Sequence, residues 1–357
     1  MIKKVTLTLA LFFFALNVSA QEIKFGSVTK EELMEKEFLN DKSASAAILY
    51  KHRNSYLLTT NDKTQLVTEI FERVKIYNKD GFEYATKEIS LYKNRTSEEK
   101  VKKIKAVTYN MVDGKVKETE LEKDAIFETE VSYNYDQVKF TMPNVQEGSV
   151  LEFSYKVISP FIWNIDEFRF QYDIPVYKMK AEIRTPKGFR FKQTPKGYFN
   201  VYPKTYTKVD NRIGMDVVVN EYNVQNMPAM KAESYVDNIH NYRSGVFFEL
   251  VSVELPGLFR SYAQSWGDVA KTIGGSDDYK NELDKTKSFD AEIDALLEGE
   301  TSQLAKMKTI FKYVKQNITW NGLDGKYFYN GLKKTLKEKK GNAADINLLL
   351  VAMLRYA

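Results

Sequence analysis

From about Leu57 to Asn223 apolar side chains recur at every second position, and that period commits half of the chain to strands with one buried face. Leu151, Phe153, Tyr155 and Val157 alternate with Glu152, Ser154 and Lys156; Phe168, Phe170 and Tyr172 alternate with Arg169 and Gln171. Turn signals punctuate the pattern. Asp113-Gly114 lies between Met111-Val112 and Lys115-Val116, Asp80-Gly81 follows Lys75-Ile76-Tyr77, and Pro186-Lys187-Gly188 separates two further strands. Many short strands predict a sandwich of two antiparallel sheets. After Ser265 the period shifts to that of a helix: Phe289, Ile293, Leu296 and Leu297 share one face, and Leu304, Met307, Phe311, Val314 and Ile318 share another. The predicted fold class is α+β, an antiparallel β-sandwich domain followed by a mainly helical one. The expected divisions are an N-terminal segment 21–54, a β domain 55–225, a connecting segment 226–262 that holds Pro228 and Pro256, and a helical part 263–357.

The first twenty residues carry an address. Lys3 and Lys4 precede an apolar run from Val5 to Leu16, and Val18-Ser19-Ala20 supplies the small residues of a signal-peptidase site, so residues 1–20 are expected to be removed. That run is shorter than the roughly 18–20 residues a bilayer span needs, and no later stretch approaches that length, so no transmembrane segment is expected after cleavage. The chain has no cysteine, which rules out a lipobox anchor and any disulfide and agrees with a bacterial periplasm or cell surface. Without Lys3 and Lys4, 53 basic and 48 acidic side chains become 51 and 48. A chain so near neutrality is not expected to grip nucleic acid, and Lys100, Lys102, Lys103 and Lys105, like Lys333, Lys334, Lys337, Lys339 and Lys340, read as solvated edges.

From Lys339 to Tyr356 the chain reads KKGNAADINLLLVAMLRY. Ile346, Leu349, Leu350, Met353 and Leu354 recur at helical spacing, and Asn342 with Asp345 can cap the first turn, leaving Ala343 at the first helical position. A thiolate would gain most from the helix dipole there. The arrangement resembles the nucleophile helix of the transglutaminase-like (papain-like) fold, in which G-x-C precedes an apolar helix ending in L-R-x-A-G; here the tripeptide is Gly341-Asn342-Ala343. Trp266-Gly267-Asp268-Val269-Ala270 resembles that family's entry helix, and Tyr313 to Trp320 resembles its Y-V-x-x-x-I-x-Y segment, with tryptophan where tyrosine is usual. The resemblance implies a catalytic histidine and aspartate on later strands, beyond Ala357, so that 263–357 would be a domain truncated at its C-terminus. With alanine at the nucleophile position it implies a pseudoenzyme whose vestigial site is Ala343, Asn342 and Trp320, with Asp345 a cap rather than an acid.

The β region resembles the family called domain of unknown function 3857, which precedes transglutaminase-like cores in exported bacterial proteins. The resemblance rests on Pro143 to Pro160 with Glu147-Gly148-Ser149 as a turn, on Phe168 to Pro175, and on Asn226-Met227-Pro228-Ala229-Met230 with Glu233 behind it. It implies architecture and export.

Other chemistry finds little support. His52 and His240 are far apart, so no metal or cofactor is expected; Asp277, Asp278 and Glu282 form a weak calcium candidate more simply read as capping residues. No G-x-S-x-G elbow occurs, and no carboxylate pair stands out. Gly274 to Asp278 reads as a loop without phosphate-binding spacing. The 23 tyrosines and 22 phenylalanines mostly fill strands, and Trp163 in the turn Ser159 to Trp163 is the best candidate for an exposed contact. The function expected is an exported, non-catalytic binding or assembly module for a peptide, a protein or a cell-envelope glycan. An enzyme with an unrecognised nucleophile and a structural spacer are the alternatives. Expression in a Gram-negative host should yield a mature chain starting at Gln21 in the periplasmic fraction, checked by N-terminal sequencing; a chain retaining Met1 would refute the export reading.

Overall fold

The computed structural model describes residues 23–357 other than 61, 62, 95, 133, 256, 263, 264, 285, 286, 288, 324, 326 and 329, together with no side chain at 60, 277 or 278. The expected signal segment lies outside these residues. Alternating side chains give the strands β1 (Ala46–Thr60), β2 (Lys63–Ile76), β3 (Thr86–Tyr92), β4 (Lys100–Val112), β5 (Lys115–Glu120), β6 (Ile126–Ser132), β7 (Tyr135–Thr141) and β8 (Val150–Ser159). There follow β9 (Phe168–Arg169), β10 (Val176–Pro186), β11 (Phe189–Lys196), β12 (Lys204–Asp210), β13 (Met215–Met227), β14 (Gly245–Leu255) and β15 (Leu258–Ser261).

Eight of them form one large sheet in the order β12-β13-β10-β1-β2-β8-β4-β5; β3-β7-β6 form a second sheet, and β11-β14-β15 with β9 a third. One buried cluster joins all three: Ile76, Leu151, Phe153 and Ile183 from the large sheet, Ile89 and Phe140 from the second, Phe168 and Val246 from the third. Strands run from Ala46 to Ser261, across the expected divisions at 54/55 and 225/226, and β14 pairs with β11 inside the β region.

Two expectations about the β region need correction. The large sheet is mixed, because β1 pairs with β10 in parallel, Ile48 opposite Val176 and Tyr56 opposite Arg184. Alternation reports which face is buried and is blind to strand direction. A parallel neighbour demands a crossover of about a dozen residues or more, and segment 160–175 supplies it, carrying Phe161 and Trp163 out of the sheet. The turn expected at Asp80-Gly81 is instead part of a 3-10 helix, Lys79–Ala85. The Asp113-Gly114 turn is as read, both residues at positive φ (50° and 73°) between β4 and β5.

The other face of the large sheet is closed by the N-terminal segment, which includes the short helix α1 (Lys30–Met34) capped by Thr29. Arg73, 1% exposed on β2, faces Glu152, 0% exposed on the neighbouring β8. Its Nε and Nη2 donate to Glu152 Oε1 at 2.8 and 2.6 Å, while Nη1 donates to Glu32 Oε1 at 2.7 Å and Nη2 also reaches the Lys24 carbonyl at 3.1 Å. Glu152 Oε2 accepts from the Gly26 N–H at 2.7 Å and from the Tyr109 hydroxyl at 3.2 Å. Next to this pair Lys75, 0% exposed, donates to the carbonyls of Leu33 and Gly148 at 2.8 and 2.7 Å.

The C-terminal part is helical: α2 (Trp266–Gly274), α3 (Asp277–Leu283), α4 (Asp290–Leu296), α5 (Gln303–Asn317), α6 (Leu332–Glu338) and α7 (Ala343–Tyr356), with the two-residue strands β16 (Thr319–Trp320) and β17 (Lys340–Gly341). The stretch Gly274 to Asp278, expected as a loop, is a tight junction between α2 and α3, since Gly274 ends one helix and Ser276, whose hydroxyl donates to the Ile273 carbonyl at 2.8 Å, stands just before the next. A second core holds Phe289, Ile293, Ile310, Val314, Leu332, Leu349 and Met353. Phe289 and Ile293 are buried as expected. On α5 the expected face is rotated: Ile310 and Val314 are buried, whereas Leu304, Met307 and Phe311 are about half exposed. The apolar arc of α5 is wider than one helix contact covers, and packing on α7 selects its Ile310 side. Among the described residues no helix is long and apolar enough to cross a membrane.

Two outcomes follow for the face covered by the N-terminal segment. Arg73→Met leaves Glu152 buried without its cation and should lower the unfolding free energy by about 3–5 kcal/mol in a urea titration. Burial pushes the Lys75 ammonium down to about 8, against the pull of Glu35 and Glu32. The fold therefore binds fewer protons than the unfolded chain between about 8 and the ordinary lysine value of about 10.4, and this group makes stability rise with pH across that window. Lys75→Met should lose that rise; an unchanged pH profile of unfolding would show that Lys75 does not contribute it.

Candidate functional site

The expected site residues meet at the start of α7. Asn342 caps the helix: its Oδ1 accepts the Asp345 N–H at 2.7 Å, and Asp345 Oδ2 accepts the Asn342 N–H at 3.0 Å. Asp345 does more than cap. It is 0% exposed and also accepts the N–H groups of Asn330 and Gly331 at 3.1 and 3.2 Å, so one buried carboxylate holds the segment before α6 against the start of α7. Gly341 allows this approach, since a Cβ there would lie 2.6 Å from the Asp345 Cβ.

Trp320 arrives by the parallel pairing of β16 with β17, which sets Trp320 opposite Gly341. Its indole N–H donates to the Leu323 carbonyl at 2.9 Å, and the same oxygen accepts the Ala343 N–H at 3.2 Å. Asn342 Nδ2 donates to the Tyr327 carbonyl at 3.1 Å. Ala343, Asn342 and Trp320 are thus gathered around one backbone segment, with Ala343 half buried and Trp320 half exposed. His52 lies on β1 and His240 in the short 3-10 helix Ile239–Asn241, and neither lines this region. Of the calcium candidate, the side chains of Asp277 and Asp278 lie outside the described residues, and Glu282 Oε2 accepts the Leu332 N–H at 3.2 Å. No metal-binding group of His, Cys, Asp or Glu occurs among the described residues.

A cavity of about 670 Å³ opens between this helix start and the second sheet. Leu323, Tyr327, Phe328 and Asn342 form one wall; Ser90, Tyr92, Tyr135, Gln137, Phe161, Trp163 and Asn164 form much of the other. Trp163, singled out in the sequence, is 55% exposed here. Sequence reasoning missed Tyr92 and Tyr135, which face each other across β3 and β7. Their period-two positions look like any strand residue, and only the long-range pairing brings them together. The aromatic rings touch in series: Tyr135 on Tyr92 at 5.5 Å between centroids, Tyr92 on Phe161 at 4.9 Å, and Phe161 on Trp163 at 6.2 Å, all edge to face.

A second cavity of about 400 Å³ continues inward, sharing Ser90, Tyr92, Tyr135 and Asn164. It is charged, lined by Lys51, Arg53, Glu99 and Asp166 among others. Burial raises the Glu99 carboxyl above the usual carboxylate range, with Asp166 adding to the effect. The Tyr135 phenol is raised by burial and then by the charges of Asp166 and Glu99.

Removing the Asp345 carboxylate tests this construction. Asp345→Ala strands N–H groups from both segments and should cost roughly 2–4 kcal/mol in a urea unfolding titration, with a changed Trp320 environment in fluorescence. Asp345→Asn keeps one acceptor oxygen and should cost less. Equal stability of Asp345→Ala and the unmodified chain would show that the segment is held by other contacts.

No curated protein sequence matches the chain. A crystal structure from Parabacteroides distasonis ATCC 8503, described as a "putative protease", superposes with a TM-score of 0.62 at 15% identity, covering 88% of this chain. The present chain spans 59% of that protein, and at this identity the likeness is one of fold. The structure of native yeast LTA4 hydrolase matches over 70% of this chain and 35% of its own at 10% identity, but with a TM-score of 0.26 that carries no argument. The segment 291–357, which contains α5, α6 and α7 and the whole Asn342–Asp345 cap, matches the transglutaminase-like superfamily model.

Proposed function

We propose that this chain is an exported, non-catalytic member of the transglutaminase-like group, a binding module of the bacterial periplasm or cell surface that takes a peptide or a cell-envelope glycan in the cleft beside Ala343. Its β region is read as a relative of domain of unknown function 3857. One observation carries the reading: the ring-lined cleft leads to the start of α7, and the side chain that stands there is a methyl group. A helix N-terminus activates a thiol or an acid, and alanine offers neither. Among the described residues that line the cleft there is no histidine, and the carboxylate of Asp136 is paired with Lys93 at 2.7 Å. Nucleophilic attack needs an activated nucleophile with a base within hydrogen-bond reach. The described walls of the cleft supply recognition surface without that pair.

The purified chain should release no product from a fluorogenic peptide library. Ala343→Cys should carry a thiol whose pKa, read from the pH dependence of alkylation, falls below the ordinary value of about 8.5, still without peptide turnover. Hydrolysis by the unmodified chain would overturn the non-catalytic reading.

A further inference from the structure

The inner cavity has a strand edge in its wall. The second sheet runs in the order β3-β7-β6, so among the described residues no strand covers the outer side of β3. The ladder to β7 fixes which backbone groups of β3 are committed. The Met142 N–H donates to the Ala85 carbonyl and the Lys93 N–H to the Asn134 carbonyl, both at 2.9 Å. Both bonds continue the register that sets Thr86 opposite Thr141 and Tyr92 opposite Tyr135 without a shift. Hydrogen-bonded pairs alternate along an antiparallel ladder. The odd-numbered residues of β3 therefore bond to β7, and Thr86, Glu88, Ser90 and Tyr92 direct their N–H and C=O groups outward.

At Tyr92 those outward groups already have a partner, and its pattern is that of a strand. The Tyr92 carbonyl accepts the Glu99 N–H at 2.8 Å, and the Tyr92 N–H donates to Glu99 Oε2 at 2.8 Å. One residue supplies the donor and the acceptor that a neighbouring strand would supply, with a carboxylate oxygen in place of a carbonyl. Immediately afterwards the chain leaves β3: Lys100 to Lys102 pair with β8, Lys100 opposite Ile158. The inner cavity of about 400 Å³ opens where the two separate, lined by Glu88, Ser90 and Glu99 and by Tyr155 and Val157 of β8. Glu88 and Ser90 are exposed.

We propose that the edge of β3 at Ser90 and Glu88 docks an extended peptide, which adds as a strand where Glu99 stops. This rests on the reading of the cleft as a binding site, because the cavity opens into the cleft through Ser90, Tyr92, Tyr135 and Asn164; it names the ligand class and the contact. The outward groups of β3 recur at every second residue, about 6.8 Å apart, a repeat that a second extended backbone matches. In strand addition the main chain gives affinity and the surrounding pockets give specificity. Those pockets carry both signs of charge, from Lys51 and Arg53 to Glu99 and Asp166.

The test is an array of hexapeptides probed with the whole chain, beside an array of neutral and charged oligosaccharides, with titration calorimetry of the hits. The expected result is saturable binding of peptides. Methylating alternate backbone nitrogens of a hit should weaken binding about tenfold or more in one register and leave it unchanged in the other, because only one set faces the edge. Amide hydrogen exchange should slow at Ser90 and Glu88 when the peptide is bound. Ser90→Pro removes an outward donor at an edge position, where proline is tolerated, and should weaken binding about tenfold. The methylation and exchange measurements use the unmodified chain and decide the matter even if that variant does not fold. Peptide binding indifferent to methylation in both registers, or without protection at Ser90 and Glu88, overturns the strand-edge proposal and leaves the cleft a peptide site. Hits confined to oligosaccharides overturn it too and leave the cleft a glycan site. If neither array binds, the cleft reading falls with it.

Discussion

A carboxylate with no exposure to solvent, that of Asp345, accepts N–H groups from Asn342, Asn330 and Gly331 and so ties the start of α7 to the segment that precedes α6. Burying a carboxylate is tolerable only when its lone pairs are satisfied, and these backbone donors together with the helix N-terminus contribute to that here. Thr335 adds a bond from its hydroxyl to the Gly331 carbonyl at 2.8 Å, extending the tie into α6. The wall formed by Leu323, Tyr327 and Phe328 follows from this tie, because the described residues between β16 and α6 belong to no helix or strand that would hold them.

The opposite wall has a different origin. Parallel pairing of β1 with β10 obliges the chain to cross over after β8, and the crossover carries Phe161 and Trp163 beside the β3–β7 sheet. One wall of the cleft is therefore a consequence of strand direction and the other of a buried carboxylate. The two meet only in the folded molecule. A substitution that spares both cores can still open the cleft if it loosens either the crossover or the Asp345 tie.

How much of this was legible in the sequence depends on the range of the interaction. The cap at Asn342 and Asp345, Ala343 at the first turn, the helix period and the Asp113-Gly114 turn are local, and each can be read from a few neighbouring residues. Glu152 shows the limit. It alternates with Leu151 and Phe153 and so reads as a solvent-facing residue, yet it is fully buried, because the N-terminal segment covers that face and Arg73 answers the charge. Alternation told which residues share a face and could not tell that both faces are covered. The same blindness hid the parallel pair, the exposed side of α5 and the meeting of Tyr92 with Tyr135.

The position of Ala343 also constrains how an acyl-transfer site could form there. In acyl transfer a developing oxyanion is stabilised by preorganised donors, commonly backbone N–H groups next to the nucleophile. The Ala343 N–H is directed at the Leu323 carbonyl, which Trp320 also engages through its indole, so that donor is already held within the fold. A cysteine placed there would gain the helix dipole but would still face a carbonyl oxygen where an oxyanion would need a donor. The segment carrying Leu323 is itself fixed through Asn342, whose amide donates to the Tyr327 carbonyl, and through Asp345. Forming an acyl-transfer site at this position therefore requires rearranging the wall of the cleft as well as replacing one side chain, and the interactions that build that wall are the same ones that oppose the rearrangement.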